Sequence, residues 1–234
     1  MNILTDGLRK LDISYNDIQI DLVNRFYEML IERNKVMNLT RITDKKEFYE
    51  KHILDSLLVC KINDLRNKKI IDIGTGAGFP GIPVKIFFPE TDMVLLDSLN
   101  KRLVFIDDVI NELHLESVIT VHGRAEELGH DKRFRESFDI ALSRAVADLS
   151  VLSELCIPFV KINGFFISYK SSDTDEEILN AENAIHILSG SAAEVINIKI
   201  PNSDISRRFV KIKKEKPTQK TYPRKPGTPA RYPL

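Results

Sequence analysis

The residues of this sequence best suited to chemistry are three glycines, Gly74, Gly76 and Gly78, which follow a short apolar run. The run, residues 70–73, is rich in isoleucine, which favours a buried strand. After the glycines, residues 82–88 resume an apolar pattern that can be helical. Glycines allow a tight turn and bring a ligand close to the amides at a helix start. Strand, glycine turn and helix together indicate a nucleotide-cofactor site.

The glycine spacing favours one class of cofactor over another. A dinucleotide-binding fingerprint requires G-x-G-x-x-G directly after the strand, and its third glycine would fall on Phe79. Pro80 and Pro83 also remove amides from the helix entry, where a pyrophosphate needs donors. The form D-x-G-x-G-x-G, beginning at Asp72, instead resembles the first motif of S-adenosylmethionine-dependent methyltransferases. A nicotinamide-dependent oxidoreductase remains the less favoured alternative.

Strand and helix patterns alternate after residue 68, which predicts a mostly parallel sheet with helices on both faces. We expect an α/β, Rossmann-like class I methyltransferase fold with seven strands, the last two an antiparallel pair at the sheet edge. The strands are expected at residues 70–73, 93–96, 118–121, 138–142, 164–169, 195–200 and 209–213. The intervening helices are expected at residues 82–88, 101–113 and 176–188, with a further helix after the fourth strand that ends at about residue 155.

An N-terminal helical extension should precede the sheet. Residues 14–37 are amphipathic, and a second helix should begin at Asp44, with Glu47 three residues on, and continue to about residue 60. The predicted segments are a helical region at 1–65, a methyltransferase domain at 66–216 and a basic, proline-rich tail at 217–234. We expect that this tail is neither a regular helix nor a central strand.

Metal and disulfide chemistry are disfavoured. Cys60 and Cys156 are too few for a disulfide framework or a metal cluster. His52, Asp55 and Ser56 share a helix face, where we expect a hydrogen-bonded patch against the main domain rather than a metal or catalytic site. No apolar run approaches the roughly 18 residues of a membrane helix. We therefore expect a cytoplasmic protein.

Charge is unevenly distributed along a chain whose net charge is zero. From residue 207 onward there are ten Lys or Arg and one acidic residue. This asymmetry favours a polyanionic partner such as nucleic acid. The alternative is a tail that packs on the domain with its charges in water. The basic residues concerned are Lys211, Lys213, Lys214, Lys216, Lys220, Arg224, Lys225 and Arg231.

Polar residues follow several of the predicted strands, at the sheet edge where ligands bind in open parallel sheets. Asp97 ends the second strand and could accept the ribose hydroxyls of a nucleoside, or could cap the next helix. Arg144 follows the fourth strand. It could bind a cofactor carboxylate, a phosphate or a base edge, or could form a structural salt bridge. No carboxylate adjoins Arg144 in the sequence that could act as a base for a methyl acceptor. Guanine N7 is an acceptor that needs no base, because its lone pair is free.

Seven motifs in order carry a family resemblance: NLTRIT, HILDS, DIGTGAGFPGIPVKI, LLDSLNKRLVF, GRAEEL, SRAVA and YPRKPGTP. The chain resembles the small-subunit rRNA methyltransferase G family, also called glucose-inhibited division protein B. The resemblance implies methylation of N7 of one guanine in the decoding region of 16S rRNA, with S-adenosylmethionine as cofactor. It places cofactor contacts on Gly74, Phe79, Ala125, Glu126 and Arg144.

Gly76 and Asp97 complete the predicted cofactor site, from the glycine turn and the strand-end position. We expect no catalytic acid or base, no metal, a monomer, and 16S rRNA or the small ribosomal subunit as the partner. A non-catalytic RNA-binding or assembly protein on a methyltransferase fold is the second alternative. The intact glycine turn, Asp97 and Arg144 argue against it.

Overall fold

A computed structural model describes residues 3–144, 147–170 and 174–234 of the chain. Within these residues seven strands form one sheet in the order β3-β2-β1-β4-β5-β7-β6. The strands are β1 Lys69–Ile73, β2 Asp92–Asp97, β3 Val118–His122, β4 Phe138–Arg144, β5 Val160–Lys170, β6 Glu194–Lys199 and β7 Ser206–Lys213. The predicted strands and the antiparallel edge pair are confirmed.

The first five strands run parallel, whereas β7 pairs antiparallel with both β5 and β6. From β1 the strand order proceeds to β2 on one side and to β4 on the other. The carboxyl ends of these parallel strands meet at one edge, beside the point where the order reverses. Ligands bind at this position in open α/β sheets.

The helices lie on both faces of the sheet, as predicted. They are α1 Ile3–Lys10, α2 Asp17–Met37, α3 Lys45–Phe48, α4 Asp55–Leu57, α5 Gly81–Phe87, α6 Asn100–Glu112, α7 Ala125–Leu128, α8 Leu149–Cys156, α9 Asp175–Ile187 and α10 Thr228–Arg231. One apolar cluster joins α1, α2 and α6 to residues such as Ile70 and Leu95. The other packs α8 and α9 against alternate residues of the same strands, such as Ile71 and Val94. This alternation follows from the two-residue period of a strand.

The second predicted helix has the predicted start but not the predicted regularity. Asp44 accepts a hydrogen bond from the Glu47 amide at 2.9 Å, which caps α3. A π-helical turn, Tyr49–Leu54, then separates α3 from α4, and a 3₁₀ turn, Leu58–Lys61, ends the segment. Single π turns inside helices are frequent at functional sites. This one carries His52, and Asp55 follows it directly.

Two helices differ from the sequence-based expectations. Helix α1 lies before the first predicted helix and buries Leu4 and Leu8. The tail is not one regular helix, as expected, but a single four-residue helix, α10, forms within it. Its proline, Pro229, stands in the first turn, where the missing N–H has no intrahelical acceptor to lose. Among the described residues no helix is long and apolar enough to span a membrane.

Candidate cofactor and substrate site

The glycine turn after β1 is held by hydrogen bonds within the chain. Gly74, Gly76 and Gly78 all have positive φ, at 74°, 62° and 93°. The amides of Gly74 and Thr75 donate to the Leu96 carbonyl of β2 at 2.9 and 3.1 Å. A Cβ built on Gly76 would meet only the Gly74 carbonyl, at 4.0 Å. The turn therefore leaves open space in front of Gly76.

Asp72, which sequence reasoning treated only as part of the motif, fixes both ends of the turn. It is fully buried, and its Oδ2 accepts from the Thr75 hydroxyl at 2.7 Å and the Gly81 amide at 2.9 Å. Its Oδ1 has no hydrogen-bond partner among the described residues. Burial raises the pKa of Asp72 to about 6, and the Thr75 hydroxyl and Gly81 amide oppose this shift. A carboxyl group two residues before the first glycine of the turn is the sequence signal for this role.

The amides of the turn have almost no capacity left for a diphosphate. Those of Gly78 and Phe79 donate to the Thr75 carbonyl, that of Gly81 to Asp72, and that of Ile82 to the Gly78 carbonyl. A pyrophosphate at a helix start requires such donors. The observed hydrogen bonds therefore disfavour a dinucleotide and fit a cofactor whose methionine part faces the turn.

Asp97 joins the end of β2 to the glycine turn. The residue is 3% exposed, and its Oδ2 accepts from the Gly76 amide at 2.9 Å. Its Oδ1 accepts from the Leu99 amide at 2.8 Å, and the Arg102 guanidinium lies 3.4 Å from Oδ2. A carboxylate has about four lone-pair sites, so capacity for a ribose hydroxyl remains. The binding of ribose hydroxyls by Asp97 stays a prediction. Its contact with the Leu99 amide, at the entry to α6, is formed.

Ala125 and Glu126 begin α7, next to this group. The Gly123 amide of the preceding loop donates to the Asp97 carbonyl at 3.2 Å, which brings the ends of β2 and β3 together. Both predicted residues are buried. The Oε1 atom of Glu126 accepts a hydrogen bond from the amide of Gly227, in the C-terminal segment, at 3.0 Å. This contact was not foreseen from the sequence.

Phe79 connects the glycine turn to Arg144. Its ring stacks on His52 with centroids 4.3 Å apart and an interplanar angle of 11°. The Arg144 guanidinium carbon lies 5.1 Å from the same ring centroid. The two predicted residues are therefore neighbours, and cation–π attraction favours their contact.

Arg144 forms the structural ion pair that was the alternative to a ligand contact. Its Nη1 lies 3.0 Å from Asp55 Oδ2, while Arg207 Nε lies 2.6 Å from Asp55 Oδ1. Asp55 is 1% exposed and thus links the N-terminal region to β4 and β7. The predicted hydrogen-bonded patch against the main domain is confirmed. A contact between Arg144 and the cofactor remains a prediction.

His52 is neutral in this environment. Burial, and next the positive charge of Arg144, lower the pKa of His52 to about 3. Its Nδ1 faces Arg144 Nη2 at 3.5 Å, and arginine can only donate, so the proton lies on Nε2. Nε2 is 2.8 Å from the Thr40 hydroxyl oxygen. Both ring nitrogens thus face protein partners.

A cavity of about 500 Å³ opens at the carboxyl ends of β4 and β5, beside Arg144. Its three acidic wall residues are Asp55, Asp148 and Glu177, of which Asp55 and Glu177 are paired with basic side chains. The wall residues are Ile42, Lys51, His52, Asp55, Arg144, Ala147, Asp148, Tyr169, Lys170, Glu177 and Arg207. In the described part of the chain no cluster of His, Cys, Asp or Glu could hold a metal ion.

Three of the basic residues considered for RNA binding contact the protein itself. Lys214 is 1% exposed and pairs with Glu136 at 2.8 Å. Lys211 donates to the Ile62 carbonyl at 3.1 Å, and Arg224 pairs with Glu154. The hypothesis that these basic residues bind RNA is therefore wrong for Lys214. The exposed members of the set are Lys213, Lys216, Lys220, Lys225 and Arg231.

Comparison with known proteins gives the family. The model of the family described as rRNA small subunit methyltransferase G matches residues 19–206. The chain belongs to this family. Two relatives named ribosomal RNA small subunit methyltransferase G are similar along nearly their whole length. The Alkaliphilus metalliredigens protein is 48% identical over 99% of this chain and 98% of its own, and the Clostridium novyi protein is 45% identical over 100% and 96%.

Solved structures support the fold. A methyltransferase from Pyrococcus furiosus aligns with a TM-score of 0.58 at 15% identity, over 82% of this chain and 98% of its own. A SAM-dependent O-methyltransferase from Thermotoga maritima aligns with a TM-score of 0.54 at 14% identity, over 81% and 72%. The predicted family, enzyme class and fold are thus confirmed. Neither the oxidoreductase nor the non-catalytic alternative is favoured.

Proposed function

We propose that this member of the methyltransferase G family methylates N7 of a guanine in the 16S rRNA of the small ribosomal subunit. Family membership supports the rRNA substrate, and a ribosomal substrate implies a cytoplasmic, non-membrane enzyme. The observation that carries the cofactor assignment is the glycine turn, whose amides are used internally while space remains before Gly76. S-adenosylmethionine, when bound, supplies an electrophilic methyl group on a sulfonium sulfur.

Seven residues would hold this cofactor. The turn at Gly74 and Gly76 would face its methionine part, with Phe79 and Arg144 at the substrate side. Asp97 would accept its ribose hydroxyls, and Ala125 and Glu126 would line the part of the site after β3. The structure supports this grouping because Asp97 contacts both the Gly76 amide and, through its own carbonyl, the Gly123 amide.

We propose that the cavity beside Arg144 accepts the target guanine. A base there would lie next to Phe79 and hence close to the glycine turn. Lys51 and Arg207 on its wall would approach the RNA backbone, because phosphate contacts position a nucleic acid on a protein.

Catalysis in this site would depend on positioning rather than on an acid or base. His52 is neutral with both nitrogens engaged, and Asp55 is held between two guanidinium groups. Guanine N7 carries a free lone pair, so no proton must leave before attack. Alignment of nucleophile and methyl carbon then supplies the rate enhancement.

The test uses labelled S-adenosylmethionine with rRNA from a strain that lacks the enzyme. Naked 16S rRNA and assembled small subunits are assayed separately, because the sequence does not distinguish these substrates. We expect label in one of the two, at N7 of a single guanine. Label at another atom, or in neither substrate, would contradict the proposal.

A further inference from the structure

The C-terminal segment, residues 217–234, packs along the domain surface and is here named the strap. Arg135 donates to the carbonyls of Thr218, Gln219 and Tyr222 at 2.7–3.1 Å. The Thr218 hydroxyl donates to the Leu188 carbonyl at 3.0 Å. These bonds fix the beginning of the strap on the protein.

A buried carboxylate fixes the middle of the strap. Glu154 of α8 is 1% exposed and accepts from the backbone amide of Arg224 at 2.6 Å and from its guanidinium at 2.7–3.1 Å. Arg224 also donates to the Tyr232 carbonyl at 2.8 Å. Removal of either partner of such a buried pair is costly, so the strap is a firmly held element.

On either side of Arg224 the strap contacts α7 and the residues that follow it, the element that carries two predicted cofactor residues. A Cβ on Gly129, at the end of α7, would lie 2.6 Å from the Pro223 ring, so the two segments are in close contact. His130 hydrogen-bonds to the Pro223 carbonyl at 2.7 Å. The Gly227 amide donates to Glu126 Oε1 at 3.0 Å. Helix α7 has only four residues.

We infer that the strap positions Glu126 and α7, so that affinity for S-adenosylmethionine depends on residues that do not touch it. The inference rests on the proposed function for its cofactor. Gly227 has φ of 81°, and nothing lies within 4 Å of the Cβ position. Replacement there strains the backbone that presents the amide to Glu126 without creating a clash, which makes Gly227 the most selective place to test the strap.

The experiment compares Gly227→Ala with Gly227→Asn, since asparagine tolerates positive φ better than alanine. Calorimetry with S-adenosylmethionine should show affinity reduced roughly threefold to tenfold in the alanine variant and largely retained in the asparagine variant. KM for the cofactor should rise while kcat stays the same. A merely structural role would lower the active fraction, and hence kcat, with KM unchanged. Thr221→Ala, at an exposed strap position, should match the wild type.

Truncation after Lys216 and hydrogen exchange complete the test. The truncated protein should lose at least as much cofactor affinity as Gly227→Ala, and the amides of Leu128 and Gly129 should exchange faster in both. Unchanged cofactor affinity with a reduced salt slope of RNA binding would overturn the inference and make the strap an RNA contact. The exchange measurement needs no cofactor. A wild-type protein that fails to bind S-adenosylmethionine would therefore contradict the proposed function, while unchanged exchange would overturn the inference.

Discussion

At the scale of single residues, Asp97 has two separable duties. We expect Asp97→Asn to weaken S-adenosylmethionine binding by roughly 1–3 kcal/mol, because the amide group loses an acceptor oxygen. The melting temperature should fall as well, since the carboxylate also holds the Gly76 and Leu99 amides. Calorimetry and thermal melts on one preparation measure both quantities, with Ser98→Ala as the control. A lower melting temperature with unchanged affinity would show that Asp97 acts only on the fold.

Two buried titratable groups, His52 and Asp72, should make opposite contributions to the pH dependence of the free energy of unfolding. The pKa of His52 is lowered to about 3 in the folded protein, so its contribution is present above about pH 6.5 and is lost as pH falls. The pKa of Asp72 is raised to about 6, so its contribution is present below about pH 3.8 and is lost as pH rises through 6. Urea unfolding between pH 4 and 6 compares wild type with each variant.

Relative to His52→Gln, the free energy of unfolding of the wild type should decrease by up to about 1.4 kcal/mol per pH unit on acidification across that range. Relative to Asp72→Asn, the free energy of unfolding of the wild type should increase by up to a similar amount on acidification. Equal pH profiles for wild type and both variants would mean that neither group has the environment described.

At the scale of elements, the glycine turn should tolerate very little change. Gly76→Val adds a β-branched side chain at φ of 62°, a conformation that costs roughly 1–2 kcal/mol for such residues, but its Cβ would meet only the Gly74 carbonyl, at 4.0 Å. We expect a folded protein that no longer binds S-adenosylmethionine, as measured by circular dichroism and calorimetry. Gly76→Asn, which relieves the backbone strain but still fills the space, should also bind poorly. Near-normal affinity in the folded valine variant would remove the turn from the cofactor site.

The seven strands were predictable because each is specified locally. Alternate strand residues face two different apolar clusters, so the β-branched runs and their period could be read directly. The π-helical turn at residues 49–54 could not, because it arises where His52 and Asp55 meet Phe79 and Arg144 from distant parts of the chain. The spacing of the hydrophobic residues alone predicts an uninterrupted helix in this segment.

At the scale of the whole molecule, the site brings together segments far apart in sequence. Gly74, Asp97 and Ala125 follow consecutive strands, and strand-end reasoning together with the family resemblance placed them in one site. The ion pairs from Asp55 to Arg144 and Arg207 required knowledge of how the N-terminal helices dock. The packing of the strap was one of two alternatives that the sequence left open. A basic, proline-rich composition is compatible with either solvent or a packed surface, and only the partners Glu126 and Glu154 decide it.

The most direct test of the account is the single-turnover rate of N7-methylguanine formation in 16S rRNA, followed from about pH 6.5 to 8.5. A site that acts by positioning, with a neutral His52 and with Asp55 held between two guanidinium groups, requires no deprotonation in the rate-limiting step. We predict a rate that changes by less than about twofold across this range. A log-linear rise with a slope near one, or methylation at a different atom, would contradict the account.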